Sequence, residues 1–424
     1  MLELRKKTIE IGPILLAAAL LLTVVMGTPF AAYAGKNKKA ANSTQTKKTP
    51  VIDYSNIVWP NPPAIARIRY LAFYSAQPLK DLDSPKTKKE GWMDRLAGTV
   101  PQADGGGKVL FQLAQPYGIA TDSKGYIYVA DSKVGAIFIF NPETRDVQMI
   151  KNKVDAHFDR IIGLAMDDDD RLFVSDPGLR HVLVFDKSHK AVDVITDGMV
   201  EPSMLAVDTQ NRLLYVSDIN QDQILVYDAD TFKLKRKMGT GGKNHVLTTP
   251  GDFAKPTGIA LDKEGNLYVA DTLNDRIEVF DADGQFMRTW GKNGDGPGYF
   301  ARPKGVAIDS DGHVWVADGM QDRVQVFTPE GQLLITMGGH GLLPGQYQGL
   351  VSIASDNRRN RIYTSEIYPG RVQEFRYVTD TEFDQLKKER EALRAGGNAP
   401  QKDAEAATAA PPKPVQKDST PQPK

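Results

Sequence analysis

A segment of 25 residues recurs along the middle of this chain, and the recurrence constrains the fold more than any other feature of the sequence. Three copies match almost residue for residue: PYGIATDSKGYIYVADSKVGAIFIF (116–140), PTGIALDKEGNLYVADTLNDRIEVF (256–280) and PKGVAIDSDGHVWVADGMQDRVQVF (303–327). Weaker copies occupy 161–185, 202–227 and 349–375. Six copies of one unit predict six equivalent structural modules rather than a succession of different domains.

One acidic residue in each copy marks the period of the repeat. Successive acidic positions are separated by 45, 42, 53, 47 and 48 residues, so the length varies between the copies rather than within them. The six positions are Asp131, Asp176, Asp218, Asp271, Asp318 and Glu366. A period of this size with several strands per unit is typical of the blades of a β-propeller.

Each copy has the pattern of short β-strands, and a complete copy has four of them. In the fourth copy, residues 258–262 form a short apolar strand, 263–266 have the composition of a tight turn, and 267–271 are rich in β-forming residues. Residues 276–280 alternate between apolar and polar side chains, and 286–290 complete the unit. The sequence therefore predicts an all-β fold, a six-bladed β-propeller of four-stranded antiparallel blades.

The sixth copy lacks an outer strand of its own, because the chain takes on a helical pattern near Asp380. Residues 65–73, which precede the first copy, alternate like an outer strand. We expect this N-terminal strand to pair with residues 371–377 and close the ring, since closure removes the two most exposed sheet edges.

These motifs resemble the NHL repeat. The resemblance rests on P-x-G-[IV]-A-x-D, then G-x-[LIV]-[YW]-V-A-D, then N-D-R-I-x-V-F, and it covers about residues 116–377. It is strongest in the first, fourth and fifth copies, and the sixth has Ser365 and Glu366 in place of Ala-Asp. The resemblance implies a six-bladed propeller that acts through protein contacts or, in some members, through RNA. With the leader described next, the layout resembles the exported bacterial type of this family.

The first 34 residues have the pattern of a secretory signal peptide. Residues 5–7 are basic, 14–26 are apolar, and 32–34 (Ala-Tyr-Ala) suit a signal peptidase. The apolar stretch has 13 residues, whereas a bilayer span needs about 20. We therefore expect cleavage after Ala34, a periplasmic or extracellular protein and no integral membrane span, the alternative being a signal that is kept as an anchor.

The segments around the repeats differ from them in composition. Residues 35–55 are rich in lysine and predict a disordered spacer, and 56–378 contain the propeller. Residues 379–395 place a few apolar side chains among charges, as a short amphipathic helix does. Residues 396–424 are rich in Pro and Ala and predict a disordered tail.

The charge balance and the lack of cysteine exclude several classes of function. Lys plus Arg equals Asp plus Glu at 53 each, so no overall field favours nucleic acid, and we expect no nucleic-acid partner. The chain has no cysteine, which rules out disulfides and thiolate zinc sites.

The repeated acidic positions allow two interpretations. In a propeller they all lie on one face, where a ring of carboxylates could hold a hard cation or meet a basic partner. Alternatively, the acids of three copies could each pair with an arginine five residues on (Asp271–Arg276, Asp318–Arg323 and Glu366–Arg371), or each carboxylate could accept backbone N–H groups of its turn. We expect the structural role, because a residue common to all repeats needs only a structural reason common to all repeats.

A divalent-metal-dependent hydrolase or lyase of the lactonase-like type is the alternative function. Propellers of that type hold calcium with acidic and amide side chains at the inner rim. The residues expected there are Tyr117, Ile162, Ser203, Thr257, Lys304 and Leu350, without a carboxylate or an amide. The six histidines stand at non-equivalent repeat positions, and the acidic runs 167–170 and 309–312 align with hairpin turns. We therefore predict no catalytic residue, no bound metal and no cofactor, with calcium as the one alternative.

Long Gly-rich connections join the later blades, at 239–254, 291–302 and 338–349. Phe253, Phe300 and Leu113 precede the first strands of their copies and should wedge between blades. The rest of each connection should lie on the same face as the acidic positions, and binding residues concentrate on such loops. The candidate binding residues are Lys243, His245, Tyr299, Arg302, Lys304, His340 and Tyr347.

The sequence thus favours an exported, non-catalytic binding or scaffold propeller. It would act as a monomer and mediate contacts with an envelope or extracellular protein, or with a small ligand. A sensor within a larger signalling assembly is compatible with the same features.

Overall fold

The computed structural model describes residues 53–76, 112–152, 156–241, 245 and 248–395. All of them lie in the second of two units of the chain, Asp53–Lys424. The signal peptide, the spacer up to residue 52 and the tail from residue 396 fall outside the described residues. Within the described ranges, no helix is long and apolar enough to cross a membrane.

The described residues are almost entirely β-structure. The strands are β1 Val58–Trp59, β2 Ile68–Tyr74, β3 Pro116–Thr121, β4 Ile127–Asp131, β5 Ala136–Phe140, β6 Val147–Lys151, β7 Leu164–Met166, β8 Leu172–Asp176, β9 His181–Phe185, β10 Ala191–Ile195, β11 Pro202–Asp208, β12 Leu213–Asp218, β13 Gln223–Asp228, β14 Leu234–Met238, β15 Pro256–Leu261, β16 Leu267–Asp271, β17 Arg276–Phe280, β18 Phe286–Trp290, β19 Pro303–Ile308, β20 Val314–Asp318, β21 Arg323–Phe327, β22 Leu333–Gly338, β23 Leu350–Asp356, β24 Arg361–Glu366 and β25 Arg371–Tyr377. A 3-10 turn spans Thr272–Asn274, and the helix α1 spans Asp380–Ala395.

These strands form six antiparallel sheets, one for each copy of the repeat. Five sheets contain four consecutive strands, so the first five blades are β3–β6, β7–β10, β11–β14, β15–β18 and β19–β22. The sixth sheet has the order β1-β2-β25-β24-β23. The first strands of neighbouring blades lie side by side, and β23 of the sixth blade lies beside β3 of the first. The predicted six-bladed propeller of four-stranded antiparallel blades is confirmed.

The middle strands of each blade are apolar on both faces because each blade packs between two others. Every residue of β4 and β5 is buried, whereas Ile150 is the one buried residue of the outer strand β6. Each of the six hydrophobic clusters of buried residues combines side chains from two neighbouring blades. Phe253, Phe300 and Leu113 are buried in three of these clusters, so they lie between blades as wedges.

The sixth blade takes its outer strand from the N-terminal side of the repeats. β2 pairs antiparallel with β25, with Ile68 opposite Tyr377 and Tyr74 opposite Val372. Alternate side chains of β2 are buried, the Tyr70 ring packs edge-on against Phe375 with centroids 5.4 Å apart, and the Tyr74 hydroxyl donates to a Glu374 carboxylate oxygen at 2.6 Å. The strand therefore completes the last blade and covers the sheet edge that β25 would otherwise expose.

Buried amides at the centre of the third strands anchor the connections of the last two blades. Gln325 accepts the Gly298 N–H at 2.8 Å and donates to the Tyr299 carbonyl oxygen at 2.8 Å. Gln373 makes the equivalent pair of hydrogen bonds in the sixth blade. An amide suits this position because it supplies one acceptor and one donor.

The fourth blade has a carboxyl group at the same position. Glu278 accepts the Gly251 N–H at 3.2 Å and lies 3.0 Å from an Arg276 nitrogen, but its Oε2 has no hydrogen-bond partner among the described residues. Burial raises the pKa of Glu278 from about 4.5 to about 7. Above neutral pH the fold therefore holds a buried carboxylate with an oxygen that lacks a hydrogen bond, which is unfavourable.

Replacing Tyr70 by alanine tests the closing strand. We expect Tyr70→Ala to lower the free energy of unfolding by about 3–5 kcal/mol, because the ring is buried between blades. Arg69→Ala removes the exposed neighbour on the same strand and should change it by less than about 0.5 kcal/mol. Urea unfolding of both variants measures the difference, and equal stabilities would contradict the closure.

Replacing Glu278 by glutamine tests the buried carboxyl. Its pKa is higher in the folded than in the unfolded chain, so its contribution to stability is complete below pH 4.5 and is lost as the pH rises to about 7. Glu278→Gln should therefore gain relative stability across this range, by at most about 3 kcal/mol, with no further gain above it. Thermal unfolding at several pH values measures the gain. The reciprocal Gln325→Glu should show the opposite dependence, and a pH-independent difference would contradict the interpretation.

Candidate interaction surface

Two kinds of loop lie at one end of every blade: the loop between its second and third strands, and the connection that leads into its first strand. We call this end of the ring the loop face. It comprises the second-to-third-strand loops 132–135, 177–180, 219–222, 272–275, 319–322 and 367–370 and the described parts of the connections 112–115, 152–163, 196–201, 239–255, 291–302 and 339–349. All candidate binding residues lie here or at its inner rim, except that Lys243 lies outside the described residues.

The six repeated acidic side chains are buried at the edge of the loop face and hold its backbone. Asp131 accepts the N–H groups of Gln115 at 3.0 Å and Lys133 at 3.1 Å, and so joins the connection to the loop of the same blade. The equivalent acids also accept an N–H from the segment that enters their blade; the donors are Asp159 and Arg160 for Asp176, Val200 and Glu201 for Asp218, Ala254 for Asp271, Ala301 for Asp318 and Gln348 for Glu366. Their carboxylate oxygens therefore face these buried backbone N–H groups of the loops and connections.

Burial raises the pKa of three of these acids, Asp271, Asp318 and Glu366, and their hydrogen bonds act in the opposite direction. Every one of the six lies against backbone donors that stabilise its charged form. The geometry fits the structural role expected from the sequence, and it does not present a ring of carboxylates to solvent.

The expected pairing of these acids with arginines is found in two blades. Arg276 donates to Asp271 at 2.8 Å, and Arg371 pairs with Glu366. Asp318 follows the other alternative and accepts the Ala301 N–H at 2.8 Å, while Arg323 donates to carbonyl oxygens of the preceding connection, such as that of Gly296 at 3.0 Å. Asp318 Oδ1 and Arg323 Nε have no hydrogen-bond partner within the described part of the chain.

A second set of acids links neighbouring blades. Asp222, Asp275 and Asp322 end their loops in the left-handed conformation, with φ of 54°, 53° and 47°. Each accepts the N–H of the residue that leads into the next blade; these donors are Lys255 at 2.8 Å, Arg302 at 2.8 Å and Gly349 at 2.9 Å. Each also bonds a side chain of the intervening connection, namely His245 Nδ1 at 2.7 Å, Asn293 Nδ2 at 2.8 Å and His340 Nδ1 at 2.8 Å. We call these three contacts the blade latches.

The blade latches account for two of the candidate binding residues and part of a third. His245 and His340 each bond a latch aspartate, and Arg302 supplies a latch N–H while its guanidinium lies 3.4 Å from Asp275. Sequence reasoning missed the latch acids, although Asp275 stands in the N-D-R motif that was recognised. The motif alone does not reveal this role, because the backbone N–H that Asp275 accepts belongs to Arg302 at the entry of the next blade.

The prediction that Tyr347 belongs to the binding surface is wrong. Its side chain is fully buried, at the position that Phe300 and Phe253 occupy three residues before the first strands of their blades. Leu350 opens β23 where Pro303 opens β19, opposite the acidic residue in both blades, so the inner-rim residue of the sixth blade is Val351 and not Leu350. No proline marks the start of this strand in the sixth copy, so the sequence-based prediction of its inner-rim residue is shifted by one position.

The exposed part of the loop face is apolar along an arc of four successive blades. The side chains that form this apolar arc are Tyr299, Met320, Leu342, Leu343, Tyr368, Val134 and Leu179, in the fifth, sixth, first and second blades and their connections. Met320 is 71% exposed and Leu343 is 66% exposed. Of the candidate binding residues, Tyr299 belongs to the arc, with the Lys292 ammonium 4.3 Å above its ring.

Basic side chains lie beside the arc. Lys133 and Arg180 are exposed next to Val134 and Leu179, and Arg160 is exposed with Glu201 3.2 Å away. Lys304 is half-buried at the inner rim, where burial lowers its pKa. The loop face therefore combines exposed apolar groups with flanking cations, the composition of a protein-binding surface.

The central channel is lined by the first strands and has a volume of about 260 Å³. Its described lining consists of small and aliphatic side chains with a few hydroxyls and the amide of Asn357, and it includes no carboxylate and no imidazole. Calcium takes six to eight oxygen ligands, usually with carboxylates among them, so this donor set does not suit it.

Two acidic groups at the opposite end of the blades could hold a metal ion by their spacing: 309, 311 and 313, and 167 to 169. Asp309 accepts the N–H groups of Asp311 and His313 at 3.0 and 2.9 Å, as an acid in a tight turn does. Asp167 accepts equivalent turn bonds and also pairs with Arg171 at 2.7 Å. These oxygens are occupied by hydrogen bonds within their turns.

Comparisons with known proteins agree with this architecture. A family model described as the SMP-30/gluconolactonase/LRE-like region matches residues 166–293, and one described as a 6-bladed beta-propeller matches 253–399. NHL repeat-containing protein 2 of Homo sapiens is 38% identical over 78 residues, 18% of this chain and 11% of that protein. A probable peptidyl-alpha-hydroxyglycine alpha-amidating lyase of Caenorhabditis elegans is 31% identical over 112 residues, 25% of this chain and 30% of that protein.

These matches thus span less than a third of either curated relative. Among solved structures, a protein of unknown function from Bacteroides thetaiotaomicron superposes with a TM-score of 0.50 and 17% identity, over 62% of this chain and 70% of that one, and shares the fold. The chain is thus a six-bladed β-propeller, and its repeats are similar to those of NHL repeat-containing proteins.

Proposed function

We propose that this chain is an exported, non-catalytic binding propeller whose loop face contacts a partner protein in the periplasm or outside the cell. The observation that carries the proposal is the apolar arc, in which large apolar side chains are exposed on the same face of four successive blades. Such a concentration of exposed apolar groups on one face favours protein contact, because leaving them in water is unfavourable. The predicted signal peptide supports the location.

The distribution of charged groups on the loop face supports a binding role over catalysis. The repeated acids and the latch acids hold backbone N–H groups, and His245 and His340 are bonded to latch acids. A general acid or base needs a titratable group within reach of a substrate. Lysines and arginines beside the arc would instead steer an acidic partner toward it.

A divalent-metal-dependent hydrolase or lyase is the second candidate function. It is favoured by the match of residues 166–293 to the gluconolactonase-like family model and by the similarity to a probable lyase. The aliphatic lining of the central channel argues against this metal-dependent function.

Charging the apolar arc tests the binding role. In the double variant Met320→Asp and Leu343→Asp, an acidic group replaces each of the two most exposed apolar side chains of the arc. Capture of envelope partners by the variant should fall at least about tenfold, since a buried unpaired charge is costly at an interface. Quantitative capture from envelope extracts of the source cells measures the loss, and the melting temperature of the variant shows whether it is folded.

The control, Met287→Asp with Val192→Asp, charges outer-strand side chains that are also exposed. If it lost as much, or the arc variant lost nothing, the loop face would not be the contact surface.

Calorimetric melting with added metal separates the two candidates. A ligand that binds only the folded chain must raise the melting temperature. For a binding propeller we expect a change of less than about 1 °C when micromolar calcium or zinc is added to metal-stripped protein. A rise of several degrees would favour the metal-dependent enzyme.

A further inference from the structure

A cleft of about 950 Å³ opens between the outer parts of the fifth and sixth blades. It includes the first turn of the fifth blade and the start of α1, which lie at the end of the blades opposite the loop face. Its walls are mainly apolar and include Ile65, Ile68, Trp315, Ile335, Val378 and Phe383. This size and this lining are those of a site for a small organic molecule.

In the third and fourth blades an arginine of the outer strand fills the corresponding groove. Arg236 donates to the Ala282 carbonyl oxygen at 2.6 Å, and Arg288 donates to the Pro329 carbonyl oxygen at 2.9 Å. Each acceptor belongs to the turn between the third and fourth strands of the next blade. The next blade and the arginine side chain together close the groove.

Two departures from this pattern open the groove of the fifth blade. The first is in its sequence: Ile335 stands opposite Val326 as Arg288 stands opposite Val279, so an aliphatic side chain replaces the arginine. The second is in the topology of the next blade. β25 continues into α1 after Tyr377 instead of turning back, because the outer strand comes from β2. No turn reaches across, and the open volume follows from both departures.

Charged groups converge at one end of the cleft. His313 Nδ1 lies 3.1 Å from Asp309 Oδ2, and its Nε2 lies 3.6 Å from Asp380, beyond hydrogen-bond distance. The hydrogen bond to Asp309 raises the pKa of His313 and favours the imidazolium. Arg67 pairs with Asp380, and Lys387 of α1 also lines the cleft.

When His313 is protonated, the lining carries three cations, Arg67, Lys387 and His313, against the two carboxylates of Asp309 and Asp380. Asp309 already accepts from two backbone N–H groups, from His313 and from the Trp315 indole at 2.9 Å. Asp380 is thus the one carboxylate of the lining with an exposed side chain, against the cations of Arg67, Lys387 and protonated His313.

We propose that this cleft binds an organic acid, with an apolar body between Trp315, Ile335 and Phe383 and one acidic group at the end formed by His313 and Lys387. The site is separate from the loop face and goes beyond the proposed protein contact. A protein that holds such a ligand could still bind its partner on the opposite face of the ring.

Two fluorescent probes with the same body test the proposal on the full chain. 1-Anilinonaphthalene-8-sulfonate carries an acidic group, and N-phenyl-1-naphthylamine lacks it. We expect the sulfonate to bind at one saturable site. Ile335→Trp should weaken binding of both probes at least about tenfold, because Ile335 lines the cleft and the larger indole would occupy part of it.

The repeat supplies the matched control for the blocking variant. Arg288 stands opposite Val279 as Ile335 stands opposite Val326, and the turn at Pro329 closes the groove beside it. Arg288→Trp should leave both affinities within about twofold. If Ile335→Trp had no effect, or both variants acted alike, the probes would bind elsewhere and the cleft proposal would be wrong.

The charged end is tested by a comparison of the two probes. His313→Gln and, separately, Lys387→Gln should weaken binding of the sulfonate about three- to tenfold and leave the neutral probe within about twofold. The exposed Lys387 keeps the test valid if His313→Gln lowers stability, which melting would reveal. An equal effect on both probes, or none on the sulfonate, would overturn the assignment of an acid.

Discussion

The ring depends on the antiparallel pairing of β2 with β25, because every blade needs a neighbour on both sides to bury its middle strands. Each hydrophobic cluster is shared by two blades, so no blade completes its core alone. The pairing joins residues about 300 positions apart in the chain. The first and last repeats consequently fold as part of one cooperative structure, with Tyr70 packed toward the fifth blade and Tyr74 toward the first.

The loop face shows how one residue type can stabilise a repeat without carrying its function. A buried aspartate such as Asp131 accepts several backbone N–H groups, so the loop and the connection keep their conformation whatever their outward side chains are. The blade latches of Asp222, Asp275 and Asp322 do the same between blades. Side chains at the tips, such as Met320, are therefore free to differ among blades, and an apolar arc forms on one part of the ring.

The sequence predicted those features that recur. Six copies with a shared acid gave the blade count, and the alternation of 65–73 placed an outer strand within three residues of β2. Features that depend on a break in the repeat pattern could not be predicted from the sequence. Tyr347 was predicted at the surface because no proline marks the start of β23. The sequence also left open whether Asp318 pairs with Arg323, since the carbonyl oxygens that Arg323 bonds come from the preceding connection. The cleft is lined by Ile335 of one blade and by α1 beyond another, an arrangement that no local pattern reveals.

Closure and the cleft have the same topological cause. A blade that supplies its own outer strand must turn after its third strand, and that turn covers the groove of the preceding blade, as Pro329 does for Arg288. The sixth blade borrows β2, so its third strand is free to continue into α1 and the groove beside Ile335 stays open. An arginine at position 335 would have no carbonyl of such a turn to bond, and its burial would leave donors unsatisfied. An aliphatic residue there is thus the choice compatible with a ring closed from the N-terminal side.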